Sequence, residues 1–177
     1  MKKSLFTIVF LQLFIIGFSQ GIKRSSYFDQ TFLISIGANA ALPVGANASS
    51  ISYMLGGDLQ GEYKPVEHLG ITLNFSYSSF VKKNTTTNGI ENYKGTVAFI
   101  KTQGGVKYTF SNDIFLHGQL GIALSQSGGG NKICYQPGVG YDFSRNFDLE
   151  LGLAGIKGAG DLGGSLNTIN MRIGYNF

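Results

Sequence analysis

The chain has 177 residues, enough for one domain, and carries 14 Lys or Arg against 10 Asp or Glu. This small basic excess in a charge-poor chain argues against nucleic-acid binding and against an electrostatic membrane anchor. The composition includes 26 Gly, 14 Phe, 9 Tyr, 3 Pro and no Trp, and no long apolar run follows residue 18. Such a composition favours β-structure.

The first 19 residues have the pattern of a secretory signal peptide. Lys2 and Lys3 form a short basic region, residues 5–18 are almost continuously apolar, and cleavage is expected before Gln20. An apolar stretch of 14 residues falls short of the about 20 that a transmembrane helix needs. Removal of the two lysines lowers the basic count from 14 to 12 and the net charge from +4 to +2. We therefore expect an exported protein.

The exported chain is expected to comprise an N-terminal periplasmic segment, residues 20–30, followed by one folded domain, residues 31–177. Its single cysteine, Cys134, allows no internal disulfide. A lipoprotein signal is excluded because this cysteine lies far from the cleavage site.

Eight segments of the domain alternate between apolar and polar residues with the period of a β-strand, and none shows a helical stripe. The clearest is "LGITLNFSYSSF" at 69–80. These segments have 11 to 15 residues, whereas soluble strands usually have about 5 to 6 and membrane-spanning strands need about 9 to 11. The predicted strands are 32–42, 53–64, 69–80, 96–110, 114–125, 132–143, 147–157 and 166–177.

The connections between these strands alternate in length. "KPVEH", "SND" and "SRN" are tight turns after the second, fourth and sixth strands, whereas the other connections are longer or rich in glycine, for example residues 81–95. Short turns at one end and long loops at the other are typical of outer-membrane barrels, with the short turns on the periplasmic side. The pattern predicts an all-β, eight-stranded antiparallel up-and-down transmembrane β-barrel with both termini at the periplasmic end.

Charged residues fall on only one face of the predicted strands. The apolar face carries no charge before Lys157, whereas the opposite face has five acids and five bases. We expect the apolar face to contact lipid and the charged face to line a narrow lumen, where charges must be paired or hydrated. The predicted network of lumen charges comprises Asp58, Glu62, Lys101, Lys107, Asp142, Glu150 and Arg172.

A soluble, lipocalin-like barrel also has eight strands, but its apolar face would form the core. The apolar set is too rich in large residues to fit inside eight strands, and aromatic residues gather near strand ends as in an interfacial girdle. Pro137 is a misfit in any closed barrel because it lacks an amide donor, so a bulge or local break is expected there.

The sequence shows no pattern of an active site or a metal site. His68 lies in a predicted turn, and His117 faces the lumen beside Gln119, where a hydrogen-bonded structural role is expected. Neither CxxC nor HExxH occurs, and the glycine-rich loop at 158–163 precedes a strand rather than a helix. No catalytic residue, cofactor or metal is predicted.

Three stretches carry a resemblance to a known family: "GGVKYTFSNDIFLHGQLGIALS" at 104–125, "YQPGVGYDFSRNFDLELGLAG" at 135–155, and the terminal "NMRIGYNF". They resemble the outer membrane protein β-barrel domain, or porin family, of small OmpA/OmpX-like barrels, over about residues 31–177. The resemblance implies the Gram-negative outer membrane as location, with outer-membrane lipid, periplasmic chaperones and the barrel-assembly machinery as partners. It also implies an assembly signal in the last strand, with Tyr175 and Phe177 at the matching positions.

The expected function is a non-enzymatic role in envelope integrity or surface interaction, performed by a monomer whose lumen is filled by side chains. A narrow small-solute channel, a lipid-modifying barrel enzyme and a soluble lipocalin-like binder are the alternatives.

Overall fold

A computed structural model describes residues 32–45, 51–83, 85–87, 90–92, 95–110, 113–126, 130–144, 146–159 and 164–177. The described part of the chain forms ten antiparallel strands. Their bounds are β1 Phe32–Val44, β2 Ile51–Val66, β3 Leu69–Lys82, β4 Thr85–Thr87, β5 Ile90–Asn92, β6 Thr96–Thr109, β7 Ile114–Ser125, β8 Asn131–Asp142, β9 Phe147–Ala159 and β10 Gly164–Asn176. No helix in these residues is long and apolar enough to cross a membrane.

Eight of the strands close into a barrel in the order β1-β10-β9-β8-β7-β6-β3-β2. Consecutive long strands are neighbours, and β1 closes the barrel against β10 in a register that runs from Ser35↔Asn176 to Val44↔Asn167. Closure leaves no barrel strand with an unpaired edge. The prediction of an eight-stranded antiparallel up-and-down barrel is therefore confirmed. The predicted signal peptide and the 20–30 segment lie outside the described residues.

The two ends of the barrel differ, and we call them the turn end and the loop end. At the turn end, tight connections join β2 to β3, β6 to β7 and β8 to β9. The second is closed by a hydrogen bond from the Phe110 amide to the Ile114 carbonyl (2.7 Å), with Asp113 in the left-handed region at φ 61°. Aspartate tolerates this conformation better than most residues.

At the loop end, the long connection between β3 and β6 contains the short hairpin of β4 and β5. The hairpin forms a separate two-stranded sheet, with Thr85 paired to Asn92. The sequence pattern indicates a long loop at 81–95 but not this hairpin, because three-residue strands are too short to show a period.

Pro137 interrupts the sheet only on its β9 side, where neither Gln136 nor Pro137 pairs with β9. The register is unchanged across the gap, so no residue is inserted and no bulge forms. On the other edge Pro137 pairs with Gly118 without interruption. The expected local break is present, since proline cannot donate to the ladder, whereas a bulge is not.

Candidate functional site

The outward face of the barrel is apolar along the described strands. Among the outward-facing residues of the described strands, only Lys157 is charged, and it lies near the loop end of β9. A soluble monomer rarely exposes a contiguous apolar patch above a few hundred Å², and here the belt runs around every strand. Large apolar side chains on this face include Ile34, Ile36, Leu55, Leu59, Ile71, Leu73, Phe75, Ile100, Val106, Leu116, Leu120, Ile122, Ile133, Val139, Leu151, Leu153, Ile169, Met171 and Ile173. The lipocalin-like alternative is therefore wrong, because it requires this face to point inward.

The inward face of the barrel carries the charges, and these side chains are buried. The buried charged residues are Asp58, Glu62, Lys101, Lys107, Lys132, Asp142, Asp148, Glu150 and Arg172. Burying an ion without a partner costs several kcal/mol, so the stability of this interior depends on how the charges pair. The structure distributes the ion pairs over three clusters.

Arg172 is the centre of the first cluster. Its guanidinium donates to Asp58 Oδ1 from Nε (3.0 Å) and from Nη2 (2.9 Å), to Asp148 Oδ1 from Nη1 (2.8 Å), and to Ser35 Oγ from Nη2 (3.0 Å). The planar guanidinium has donors on both sides and binds the two carboxylates in a fixed geometry, whereas an ammonium acts as a compact point charge. Gly37 leaves room for this cluster, since a Cβ there would lie 2.5 Å from Asp58 Oδ2 and 2.7 Å from Arg172 Nε.

Lys107 is the centre of the second cluster, closer to the turn end. Its ammonium lies 3.3 Å from Asp142 Oδ1 and 3.8 Å from Glu62 Oε2, and Glu62 Oε1 lies 3.8 Å from the ammonium of Lys64. The same ammonium lies 3.9 Å from the centroid of the fully buried Phe115 ring. Such a cation–π contact is stronger where water is excluded.

His117 and Glu150 form the third cluster. Glu150 Oε2 lies 2.9 Å from His117 Nδ1, and the Thr72 hydroxyl lies 3.0 Å from His117 Nε2. In the tautomer with its hydrogen on Nδ1, the ring donates to the Glu150 carboxylate, and Nε2 accepts a hydrogen bond from the hydroxyl. The order hydroxyl, imidazole, carboxylate resembles a nucleophile with its base and orienting acid. All three side chains are at most 3% exposed, and this burial fits the structural role expected for His117.

Amide side chains connect the first cluster to the rest of the interior. Asn74 Nδ2 donates to Asp58 Oδ1 (3.2 Å), and Gln119 Nε2 donates to Gln60 Oε1 (3.2 Å). Because a carboxylate accepts more bonds than one cation supplies, Asn74 satisfies part of the remaining capacity of Asp58.

The loop-end part of the lumen holds a cluster of buried apolar side chains, which we call the apolar cap. Phe80 and Phe99 meet edge to face at its centre, with ring centroids 5.6 Å apart. The cap comprises Ala41, Ile51, Met54, Phe80, Val97, Phe99, Ala123, Cys134, Ile156 and Leu166. The sequence pattern did not predict this cap, because the inward face was expected to be polar along its whole length. The signal was present, since several inward positions far from the tight turns hold Met, Phe, Leu or Ile.

The structure places five of the seven predicted lumen charges in ion pairs and a sixth, Glu150, in a hydrogen bond with His117. Asp58 and Arg172 share the first cluster, Glu62, Lys107 and Asp142 share the second, and Glu150 belongs to the third. The remaining one, Lys101, has no ion pair among the described residues. The prediction did not include three titratable members of these clusters, Lys64, His117 and Asp148.

Tyr175 and Phe177 lie at the turn end, in a row of aromatic rings on the outer surface. Ring centroids are 5.1 Å apart for Tyr175 and Phe177, 5.0 Å for Phe147 and Tyr175, and 6.0 Å for Phe143 and Phe147. The Phe177 amide donates to the Ile34 carbonyl (3.0 Å), which continues the β1–β10 closure by one residue. The row matches the aromatic girdle expected at a membrane interface.

The described residues contain no group of three or more His, Cys, Asp or Glu side chains arranged to hold a metal ion.

Comparison with known proteins gives no match to a family model and no significant relative among curated proteins. Solved structures do match. The outer membrane protein Ail of Yersinia pestis in a phospholipid nanodisc has a TM-score of 0.57 at 15% identity, over 82% of this chain and 99% of that chain. The N-terminal barrel domain of Pseudomonas aeruginosa OprF has 0.53 at 15% identity, over 82% and 97%.

Neisserial surface protein A also matches, with a TM-score of 0.53 at 14% identity, over 84% of this chain and 98% of that chain. At these identities the likeness concerns the fold alone. The chain therefore has the fold of the small eight-stranded outer-membrane barrels, as the sequence resemblance implies.

Proposed function

We propose that this chain is a non-enzymatic, monomeric outer-membrane protein: a sealed barrel that stabilises the envelope and contacts the surroundings through its loop end. The apolar belt suits outer-membrane lipid, because a closed barrel satisfies the backbone hydrogen bonds that hydrocarbon cannot. The fold likeness to outer-membrane barrels supports the same location.

The observation that carries this proposal is the two-layered interior. Side chains held by ion pairs fill the polar layer, with Arg172 bound to two carboxylates. The apolar cap fills the other layer, and Phe99 in it is fully buried. An ion crossing the lumen would have to enter the cap without its hydration shell and break paired charges, and hydrophobic constrictions oppose such passage. The closed interior favours a scaffold over a small-solute channel.

The loop end of the barrel supports the proposed role in surface contact. The β4–β5 hairpin is a sheet of its own between two barrel strands, a larger structure than barrel closure requires. Ail, described as the attachment invasion locus protein of Yersinia pestis, was also crystallised with the heparin analogue sucrose octasulfate; that structure has a TM-score of 0.54 at 17% identity, over 82% and 97% of the two chains. A protein with this fold can thus bind a sulfated ligand, which supports a role in contact with other molecules.

Conductance in planar bilayers tests the sealed barrel. Purified, folded protein is expected to give no discrete current steps, because both layers of the lumen are packed. Electrophoresis of the same sample before and after boiling serves as the control, since a mobility shift shows that the barrel was closed. Reproducible steps from heat-modifiable protein would contradict the proposal and favour the channel.

We also propose that Tyr175 and Phe177 are read by the barrel-assembly machinery, after delivery by periplasmic chaperones. Phe177→Ala is then expected to lower the folded fraction in cells severalfold, while unaided refolding into detergent stays near wild type. Phe143→Ala is a matched control, because Phe143 lies at the same end and is 53% exposed, as Phe177 is. Equal losses in cells for the two variants would mean that Phe177 only anchors in the interface.

A further inference from the structure

Lys101 lies where the polar layer of the lumen meets the apolar cap. It is 8% exposed, and none of the ion pairs within the described residues includes it. Asp58 forms its ion pair with Arg172 instead. An ammonium carries three donors and no acceptor, and leaving them unsatisfied away from water is costly. Oxygen acceptors close to Lys101 are therefore needed.

Asn170, on β10, has the opposite need, since it offers a buried acceptor that lacks a donor among the described residues. Its side chain is buried, and its Oδ1 accepts no hydrogen bond from any described residue. Lys101 and Asn170 line the same internal cavity, which has about 10 Å³ of room for the centre of a water molecule. Gln103, Gln136 and Thr168 add further polar groups to its wall. One water molecule needs about this volume and two to four polar partners.

We propose that this cavity is a binding site for one internal water molecule that accepts a hydrogen bond from Lys101 Nζ and donates one to Asn170 Oδ1. Water satisfies both groups at once, since it is both acceptor and donor. A monatomic anion would suit the ammonium but has no proton for the amide oxygen. With this water as acceptor, the Lys101 ammonium can lie at the boundary of the apolar cap although no carboxylate forms an ion pair with it.

A crystal structure of the folded wild-type barrel tests the site directly. The expected result is an ordered solvent peak about 2.7–3.2 Å from both Lys101 Nζ and Asn170 Oδ1. The absence of such a peak, or direct contact between the two side chains, overturns the proposal. Crystals soaked in bromide distinguish the ligand: an anomalous peak at this position would show an anion site and would equally overturn it.

A double-mutant cycle provides a second test in solution. Lys101→Met and Asn170→Leu are expected to couple by about tenfold in the unfolding equilibrium constant, because each removes a partner of the same water. Thr72→Val is the matched control: Thr72 does not line the cavity, so its effect should add to that of Lys101→Met. Additivity of the first pair overturns the proposal.

Discussion

Arg172→Met is expected to lower the free energy of unfolding by about 3–5 kcal/mol, the usual loss when one partner of a buried ion pair is removed. The guanidinium is the cation that binds both Asp58 and Asp148. Without it, Asp58 keeps a hydrogen bond from Asn74 and Asp148 keeps one from Asn176, but two carboxylates remain in the interior without their cation. Repulsion between them adds to the desolvation cost.

Urea unfolding in detergent micelles measures this effect, followed by far-ultraviolet circular dichroism and by the electrophoretic shift, because the chain has no Trp to report by fluorescence. Arg172→Lys is expected to lose less than Arg172→Met, since an ammonium keeps the positive charge, although it lacks the fixed planar set of donors of the guanidinium.

A triple variant, Arg172→Met with Asp58→Asn and Asp148→Asn, separates charge burial from packing. It is expected to recover most of the lost stability, because replacing a whole buried ion cluster by neutral groups is often close to neutral. If the triple variant is no more stable than Arg172→Met alone, the loss comes from packing around the guanidinium and the charge argument fails.

The alternation of residue types was sufficient to predict which side chains face inward. The predicted strand at 114–125 coincides with β7, and the one at 69–80 misses only the last two residues of β3. A period of two is a local property, and a one-residue slip would turn every side chain to the wrong face. A short stretch of sequence is therefore sufficient to predict that Arg172 and Asp58 face inward.

The sequence pattern did not predict which of those charges pair with each other. Arg172 and Asp58 are 114 residues apart in the chain, and their contact depends on the register of β10 with β1 and of β1 with β2. Nothing within one strand sets that register, since closure adjusts all eight strands together. For the same reason the predicted set could not be divided into clusters, and Lys101 could not be distinguished from Lys107.

Removing the two rings at the centre of the apolar cap is expected to open the interior. Phe80→Ala and Phe99→Ala should each lower the free energy of unfolding by about 3–5 kcal/mol, because a buried Phe leaves a cavity that the surrounding strands cannot collapse to fill. Phe99 and its neighbours lie within a closed ring of strands, so little relaxation is available. The edge-to-face contact between the rings makes the two losses non-additive.

Cys134 reports the opening, since it is the one cysteine of the chain and belongs to the cap. In the folded wild-type protein it is 1% exposed, so a water-soluble thiol reagent should label it only after boiling. In the Phe80→Ala/Phe99→Ala variant, labelling is expected without boiling, at a rate at least tenfold above wild type. Phe75→Ala is the matched control, because Phe75 faces outward from β3 and its removal leaves the cap intact. Rapid labelling of folded wild-type protein would mean that the cap does not seal the lumen, and the sealed-barrel proposal would have to be abandoned with it.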